Sequence, residues 1–434
     1  MKPTSKKINS KEIPTTIKGV RDIMGEAYYN YQGFFEKAQE IAVYYGFKPI
    51  EMPILEQVEL YNRGIGEGTD IMDKEMYSLK TKGGDHLALR PEGTAGIVRA
   101  YIEHGMQSEP QPVMLYYYGP FFRHDKPQRG RYRELRQFGL EILGSPKSIA
   151  DALIISTTYT VLKAMGAEGA TVDINSMGDK ESRTLYTKAL IAYYRKFVNQ
   201  LPTVDRDRLK TNPLRILDSK ESKTIEININ APDALSYLNP VSKKHFKEVL
   251  EFLDEMEIPY RINKNLVRGL DYYTHTVFEI SEEQTNELIP SLTIAAGGRY
   301  DNLAKSLGYK KDLPGVGVGI GVDRVLEASW CKHLSPKIIK KPKFYFIQLG
   351  FDAKLRSLSI LEILREAKIP IQQSLSKDSL GAQLGIAEKL GVPYTLIFGQ
   401  KEALDKTVIV RNMNTRSQEI IPIEKLTHYL KHIK

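Results

Sequence analysis

Guanidinium groups cluster in this chain where a phosphate or a carboxylate would need to be gripped. The stretch FRHDKPQRGRYRE, residues 122–134, holds Arg123, Asp125, Lys126, Arg129, Arg131 and Arg133. Arginine forks match phosphate oxygens bidentately, so such a loop suits a nucleotide or an RNA end. Charged loops are also common on solvated surfaces, and this one has little force alone. The next segment, LRQFGLEIL at 135–143, alternates in character. In a strand, Phe138, Leu140 and Ile142 share one face and Gln137, Gly139 and Glu141 the other. The glycine leaves a gap between two hydrogen-bonding side chains that a small polar ligand would fit. A solvated face with an incidental glycine accounts for the same pattern and is favoured for this segment taken by itself.

PGVGVGIGVDRVLE, residues 314–327, is sharper. Gly315, Gly317, Gly319 and Gly321 alternate with Val316, Val318, Ile320 and Val322, which predicts a strand with one bare and one packed face. A bare face lets a flat ring or a ribose approach the backbone. Arg324 begins the next helix, in reach of that face. The dinucleotide G-x-G-x-x-G spacing is absent, because Ile320 and Val322 stand where its third glycine would be. VRGLDYYTHTVFEI, 267–280, turns at Arg268-Gly269 and sets a guanidinium beside Tyr272 and Tyr273. AAGGRYDNL, 295–303, passes through two glycines into a helix start. LALRPEGTAGIVRAYI places Glu92, Gly93 and Thr94 at a helix N-terminus, where capping is the plain account. Competing chemistry is missing: no G-x-x-x-x-G-K-[ST], no H-E-x-x-H, no G-x-S-x-G. Eight scattered histidines and one cysteine offer no metal spacing, so no protein-held metal is expected.

These residues need a scaffold, and its outline is readable. A chain of 434 residues, 41% hydrophobic and 26% charged, has the length and composition of two or three globular domains. No apolar run is long enough to span a membrane, and the polar N-terminus is not a secretory signal. The lone Cys331 excludes an internal disulfide framework and fits a reducing cytoplasm. A net charge of +9 permits a polyanionic partner without establishing one. A helix is expected over 26–46, an edge strand over Phe47–Leu55 interrupted by Pro49 and Pro53, strands over Val113–Arg123 and Leu135–Leu143, and a helix over 150–165. From about Asp179 to Ile262 many charges and prolines, with helical patterns around 184–200 and 243–257, mark an insertion. After a basic stretch, Lys332–Lys343, strands and helices alternate, which predicts a small α/β domain with a largely parallel sheet.

Together the segments resemble the class II aminoacyl-tRNA synthetases, and within them the histidyl-tRNA synthetase family. Gly46–Leu55, Phe122–Glu141 and Gly315–Leu326 look like the three class II motifs. RGLDYYTHTVFE at 268–279 and AAGGRYDNL at 295–303 are similar to the histidine-specific segments; RPEGTAG at 90–96 and TNPLRILDSK at 211–220 also look like this family's. SLGAQLGIAEKLGVPYTLIFG resembles its anticodon-binding domain. Small departures are Gly25 in place of a usual proline, Leu135 in place of a phenylalanine, and no cysteines in the insertion.

The resemblance implies an α+β catalytic core over 1–330, an antiparallel sheet with flanking helices interrupted by the helical insertion at about 179–262. A linker at 331–342 and an α/β anticodon-binding domain at 343–434 would complete the chain. It implies a homodimer in the cytoplasm with histidine, ATP with Mg²⁺, and tRNA(His) as its partners. Histidine would be held by Glu92, Gly93, Thr94, Arg123, Gln137, Glu141, Arg268, Tyr272 and Tyr273, and ATP by Arg123, Asp125 and Arg324. Arg123 and Arg268 would act on the reacting groups. The basic loop 126–133 would meet the tRNA acceptor end, and the insertion would brace the acceptor arm. A different class of function is also represented among synthetase-like chains: inactive histidine-binding regulators, such as the regulatory subunit of ATP phosphoribosyltransferase. That subunit lacks the C-terminal unit.

Overall fold

The computed structural model describes residues 13–66, 69, 71–128, 130–282, 292–337 and 342–433. Arg129 of the basic loop and residues 338–341 of the expected linker therefore lie outside the described residues. The chain divides into two compact units, Met1–Pro336 and Lys337–Lys434.

The first unit is built on an eight-stranded sheet. Its strands in chain order are Lys48–Pro49 (β1), Val113–Phe122 (β2), Glu134–Leu143 (β3), Ala170–Ser176 (β4), Tyr260–Ile262 (β5), Thr274–Glu282 (β6), Thr293–Arg299 (β7) and Gly315–Gly321 (β8). Across the sheet they run β1-β2-β3-β8-β7-β6-β4-β5. Pairing is antiparallel throughout the middle, with a short parallel strand at each edge. One face is packed: Phe138, Leu140 and Ile142 of β3 join Val316, Val318 and Ile320 of β8 in a core with the helices Gly25–Tyr44 and Ser148–Met165. The opposite face, bearing Gln137, Glu141 and the β8 glycines, is left for the site. That division follows from the period-two alternation in both strands.

Two expectations change in space. Phe47–Leu55 is not one strand: only Lys48–Pro49 pairs with β2, whereas Leu55–Gln57 joins a separate three-stranded sheet. Pro49 lies within that pairing and Ile50 N still donates to Tyr116 O at 2.9 Å; Pro53, which supplies no backbone donor, stands between the two paired stretches. The segment 179–262 is helical, with helices Lys180–Arg195, Thr203–Thr211, Ser222–Asn228 and Pro240–Glu255, but it shares the core. Phe246, Val249 and Leu253 are buried in the same cluster as the sheet, and β5 extends the sheet beside β4. Its helices are capped locally: the Asp179 side chain accepts from Ser182 N at 2.9 Å, and Asn239 from Ser242 N at 2.8 Å, with Pro240 at the first turn.

The second unit has a five-stranded sheet. Ile371–Gln373, Phe344–Gln348 and Tyr394–Phe398 are parallel, as the strand–helix alternation predicts. Thr407–Asn412 and Gln418–Pro422 then add an antiparallel hairpin, so the sheet is mixed. A short turn can close two antiparallel strands without a crossover helix, which is why the alternation gave no sign of it.

A fully buried ion pair joins β7 to the packed helix. Arg299 and Asp151 are both 0% exposed; Arg299 Nε lies 3.1–3.2 Å from both Asp151 oxygens and its Nη1 donates to Ser145 O at 2.9 Å. Removing Arg299 would leave the Asp151 carboxylate buried with the His245 imidazole at 3.4 Å in place of a guanidinium, and breaking such a pair costs about 3–5 kcal/mol. Arg299→Met is therefore expected to lower the urea midpoint of the first unit, read from the fluorescence of Trp330, the single tryptophan; an unchanged midpoint would refute this account of the pair.

Candidate active site

A cavity of about 650 Å³ opens on the bare face of the central sheet. Glu92, Gly93, Thr94, Arg123, Asp125, Gln137, Arg268, Tyr272, Tyr273 and Arg324 all line it. Segments far apart in the chain thus converge: the start of the helix Thr94–Glu103, strands β3, β7 and β8, the β2–β3 connection, and the loop before β6.

Around Glu92 the surroundings are acidic and hydroxyl-rich. Glu92 is 5% exposed. It accepts from Thr94 N at 2.7 Å, Ala95 N at 2.9 Å and the Tyr272 hydroxyl at 3.3 Å. Burial raises its pKa, against the pull of those donors. The capping reading of Glu92 holds, and the same carboxylate faces the cavity. Thr94 donates its hydroxyl to Glu141 at 3.0 Å.

Glu141 is the exception among the expected site residues. It is 0% exposed and does not line the cavity. Its carboxyl accepts from the hydroxyls of Tyr300 at 2.5 Å, Thr94 at 3.0 Å and Tyr117 at 3.5 Å. Burial pushes its pKa up to about 8, with Glu92 adding to the rise and the three hydroxyls opposing it.

The glycines show how this carboxyl fits. A Cβ on Gly317 would stand 1.6 Å from Glu141 Oε2, and one on Gly315 would stand 2.4 Å from the Tyr300 ring. The gap at Gly139 is likewise taken, not open to a ligand: a Cβ there would stand 2.1 Å from the Tyr117 ring, which lies opposite in register. Gly319 and Gly321 remain on the cavity wall, with Gln137 and Arg324 as their nearest neighbours. Half of the bare face of β8 thus receives the protein's own side chains and half faces the cavity.

The β2–β3 connection and the start of the helix after β8 bring cations to the wall. Arg123 Nε donates to Pro91 O at 2.8 Å, and Arg131 pairs with Asp125 at 3.4 Å. Arg324 donates to Gly130 O at 3.3 Å and Thr293 O at 2.5 Å. Burial, then the neighbouring Arg131 and Arg123, bring its pKa down to about 10. Arg268 pairs with Glu279 and lies 5.7 Å from the Tyr273 ring centroid. Its Nε is buried with no acceptor among the described residues.

A cavity lined by a buried carboxylate, hydroxyls and clustered guanidinium groups has the chemistry to take a ligand that carries both positive and negative charge. Comparison with known proteins supplies the family. The family model described as histidyl-tRNA synthetase matches residues 19–325, and that described as an anticodon binding domain matches 343–433. The chain belongs to the histidyl-tRNA synthetase family. It is 39% identical to histidine–tRNA ligase of Rippkaea orientalis over 96% of both chains, and 40% identical to that of Fervidobacterium nodosum over 93% of this chain and 94% of the relative. The apo histidyl-tRNA synthetase of S. aureus is similar in structure, with TM-score 0.78 and 31% identity over 96% of this chain and all of that one. A Bacillus halodurans protein described as an ATP phosphoribosyltransferase regulatory subunit/histidyl-tRNA synthetase shares the fold, at TM-score 0.60 and 22% identity over 88% of this chain and 97% of that one.

Within this synthetase fold, several residues around the site were not anticipated from sequence. Tyr117 and Tyr300 complete the hydroxyl shell of Glu141. Arg215, Asp218, Ser219 and Lys220, all within TNPLRILDSK, line the cavity from the helical segment. The signal for Tyr300 lay in AAGGRYDNL; for the other wall it lay in TNPLRILDSK, whose likeness to the family gave no position.

The elevated pKa of Glu141 has a stability consequence. Between the ordinary carboxyl value of 4.5 and about 8, the folded chain retains a proton that the unfolded chain has released. Raising pH through that window therefore costs stability, and the loss is complete only above the folded value. As pH rises from about 5 to about 8, the wild-type melting temperature should fall relative to that of Glu141→Gln. Parallel pH dependences of the two proteins would show that Glu141 does not hold the proton.

Proposed function

We propose that this chain is a histidine–tRNA ligase whose two substrates lie end to end in the cavity on the bare face of the sheet. The observation that carries the reading is a cluster of like charges sharing one cavity with a buried carboxylate. Arg324 is part-buried beside Arg131 and Arg123, and burial, then those like charges, lower its pKa; Glu92 and Thr94 line the same cavity. Crowded cations favour an anion of several charges. The α-ammonium of histidine is assigned to Glu92, Thr94 and Gln137, and the triphosphate to Arg123, Arg324 and the backbone near Asp125. Gly319 and Gly321 leave room for the ribose. Tyr272 and, through its hydroxyl shell, Glu141 are assigned to the imidazole end.

Activation is attack of a histidine carboxylate oxygen on the α-phosphorus of ATP. A new phosphorus–oxygen bond forms and pyrophosphate departs with the electron pair of the bond that breaks. No proton moves in that step, so positioning and charge neutralisation are what the protein supplies. Arg268 and Arg123 are assigned to the carboxylate and the α-phosphate. ATP enters as its Mg²⁺ complex, an ion held mainly by phosphate oxygens and water. In the second step a hydroxyl of the terminal ribose of tRNA(His) attacks the acyl carbon and AMP leaves. Residues 126–133 are assigned to the acceptor end, the helical segment to the acceptor arm, and the C-terminal unit to the anticodon. Homodimerisation through Gly46–Leu55 and a cytoplasmic location complete the reading; among the described residues no helix is long and apolar enough to cross a membrane.

The test is amino-acid-dependent ATP–pyrophosphate exchange, run with each proteinogenic amino acid separately. Exchange with histidine alone is expected; folded protein that binds histidine but exchanges with nothing would move the reading to a histidine-binding regulator. Arg268→Ala is expected to reduce the exchange rate by roughly 100-fold or more while histidine affinity changes far less, since its guanidinium acts where charge develops. Matching losses in rate and affinity would remove its transition-state role.

A further inference from the structure

The loop Arg268–Tyr273 supplies Arg268, Tyr272 and Tyr273 to the cavity, yet it precedes β6, which begins only at Thr274. No sheet ladder fixes these residues, and Gly269 adds backbone freedom. Besides the Arg268–Glu279 pair and the Tyr272–Glu92 hydrogen bond, a set of groups that holds the loop converges on Asp271. From the helix Lys180–Arg195, Arg183 donates Nη1 to Asp271 O at 2.5 Å and to Tyr273 O at 3.3 Å, and Nη2 to Asp271 Oδ1 at 3.1 Å. Asn212 donates Nδ2 to the same Oδ1 at 2.9 Å. From the other side Asp271 N donates to Ile65 O at 3.1 Å. Gly66, at φ +89°, lets the aspartate approach: a Cβ there would stand 3.0 Å from Asp271 Cβ.

Arg183, Asn212 and Asp271 do not line the cavity, so they are not substrate ligands. The Arg183–Asp271 pair is also partly exposed, with side chains 26% and 33% accessible. Pairs of that kind contribute little to stability on average. What the fork supplies is geometry: one guanidinium takes the carboxylate and two nearby backbone carbonyls, a set of acceptors that fixes both the side chain and the main chain of the loop. Asn212 removes the remaining rotation of the carboxylate.

We propose that Arg183 and Asn212 are positioning residues for histidine activation, acting through Asp271 to set the loop that presents Arg268, Tyr272 and Tyr273. The inference rests on the assignment of that loop to histidine under the proposed function. It requires a specific signature. Arg123 and Arg324 are held by other groups, the carbonyls of Pro91, Gly130 and Thr293. Loosening the clamp therefore disturbs histidine and the reacting carboxylate while leaving the triphosphate end in place.

The experiment uses the full chain and measures histidine-dependent ATP–pyrophosphate exchange, with histidine and ATP each titrated at saturation of the other. Arg183→Met is expected to lower kcat/KM for histidine by roughly 100-fold, the scale of a small misplacement of reacting groups. KM for ATP should stay within about twofold, because uniform binding at that end is untouched. Arg183→Lys should recover only part of the loss, since an ammonium cannot reproduce the planar fork. Should Arg183→Met fail to fold, Asn212→Asp provides the second reading: it is isosteric, sets a carboxylate against Asp271, and should give the same split between histidine and ATP. Wild-type histidine values in Arg183→Met or, in its place, Asn212→Asp would overturn the clamp, as would equal rises in both KM values accompanied by a lowered melting temperature. Wild type and Arg268→Ala run in parallel separate the two levels: exchange lost in Arg268→Ala but retained in the clamp variants refutes the clamp alone, whereas full exchange in Arg268→Ala refutes the assignment beneath it.

Discussion

The central sheet must bury one face against helices and keep the other polar enough for substrate, and the register between β3 and β8 reconciles the two. Gly317 lies opposite Glu141 and Gly319 opposite Gly139. Any side chain at Gly317 would occupy the space of the Glu141 carboxyl. Moving Glu141 would leave the Tyr300, Thr94 and Tyr117 hydroxyls without their common acceptor. Those hydroxyls come from three separate parts of the chain, so one acceptor ties the strand, the helix start and the β7–β8 turn together. A buried carboxyl is costly unless hydrogen-bonded, and its three donors together with protonation meet that requirement. The bare face of β8 is thus first a packing device for the protein and only then, at Gly319 and Gly321, a surface for a ligand.

Charge placement derives from the same frame. The helix Thr94–Glu103 directs its first backbone N–H groups at Glu92, which satisfies them with a carboxylate. Arg131 and Arg324 stand on the β2–β3 connection and just after β8, and Arg123 reaches back to Pro91 O beside Glu92. In the proposed reading, an ammonium at Glu92 and a triphosphate at Arg324 would orient the amino acid with its carboxylate toward the α-phosphorus. Buried hydrogen-bonding groups also discriminate: a site with unmatched polar atoms rejects a side chain lacking the partner far more strongly than an apolar pocket rejects a change of size.

Much of this was legible in the residues because it is local. Period-two alternation in 135–143 and 315–322 named the packed and bare faces, and Glu92-Gly93-Thr94 named a helix start. Cross-strand facts were not legible. That Gly139 accommodates Tyr117, not a ligand, depends on the β2–β3 register, and the pairing of Arg268 with Glu279 depends on how the loop folds back on β6. The prolines at 49 and 53 were visible, but the division of that segment between two sheets was not, because the choice of partner strand is made in three dimensions. The C-terminal hairpin escaped for a related reason: a pattern of alternating strands and helices says nothing about the direction of a strand placed after a tight turn.

The helical segment 179–262 shows the same limit most clearly, together with its mechanical consequence for the site. Its charges and prolines set it apart in sequence, yet Arg215, Asp218, Ser219 and Lys220 form a wall of the cavity and Phe246, Val249 and Leu253 belong to the shared core. A segment anchored in that core through one helix can hold another part of itself against the site with little freedom. Arg183 and Asn212 meet Asp271 from that anchored frame. The loop before β6 lacks a ladder of its own, so the rigidity it needs is borrowed from residues 88 and 59 positions earlier in the chain. Long-range fixation of a short irregular loop is the arrangement expected wherever several substrate-facing side chains must come from consecutive residues, because a regular strand would send Tyr272 and Tyr273 to opposite faces.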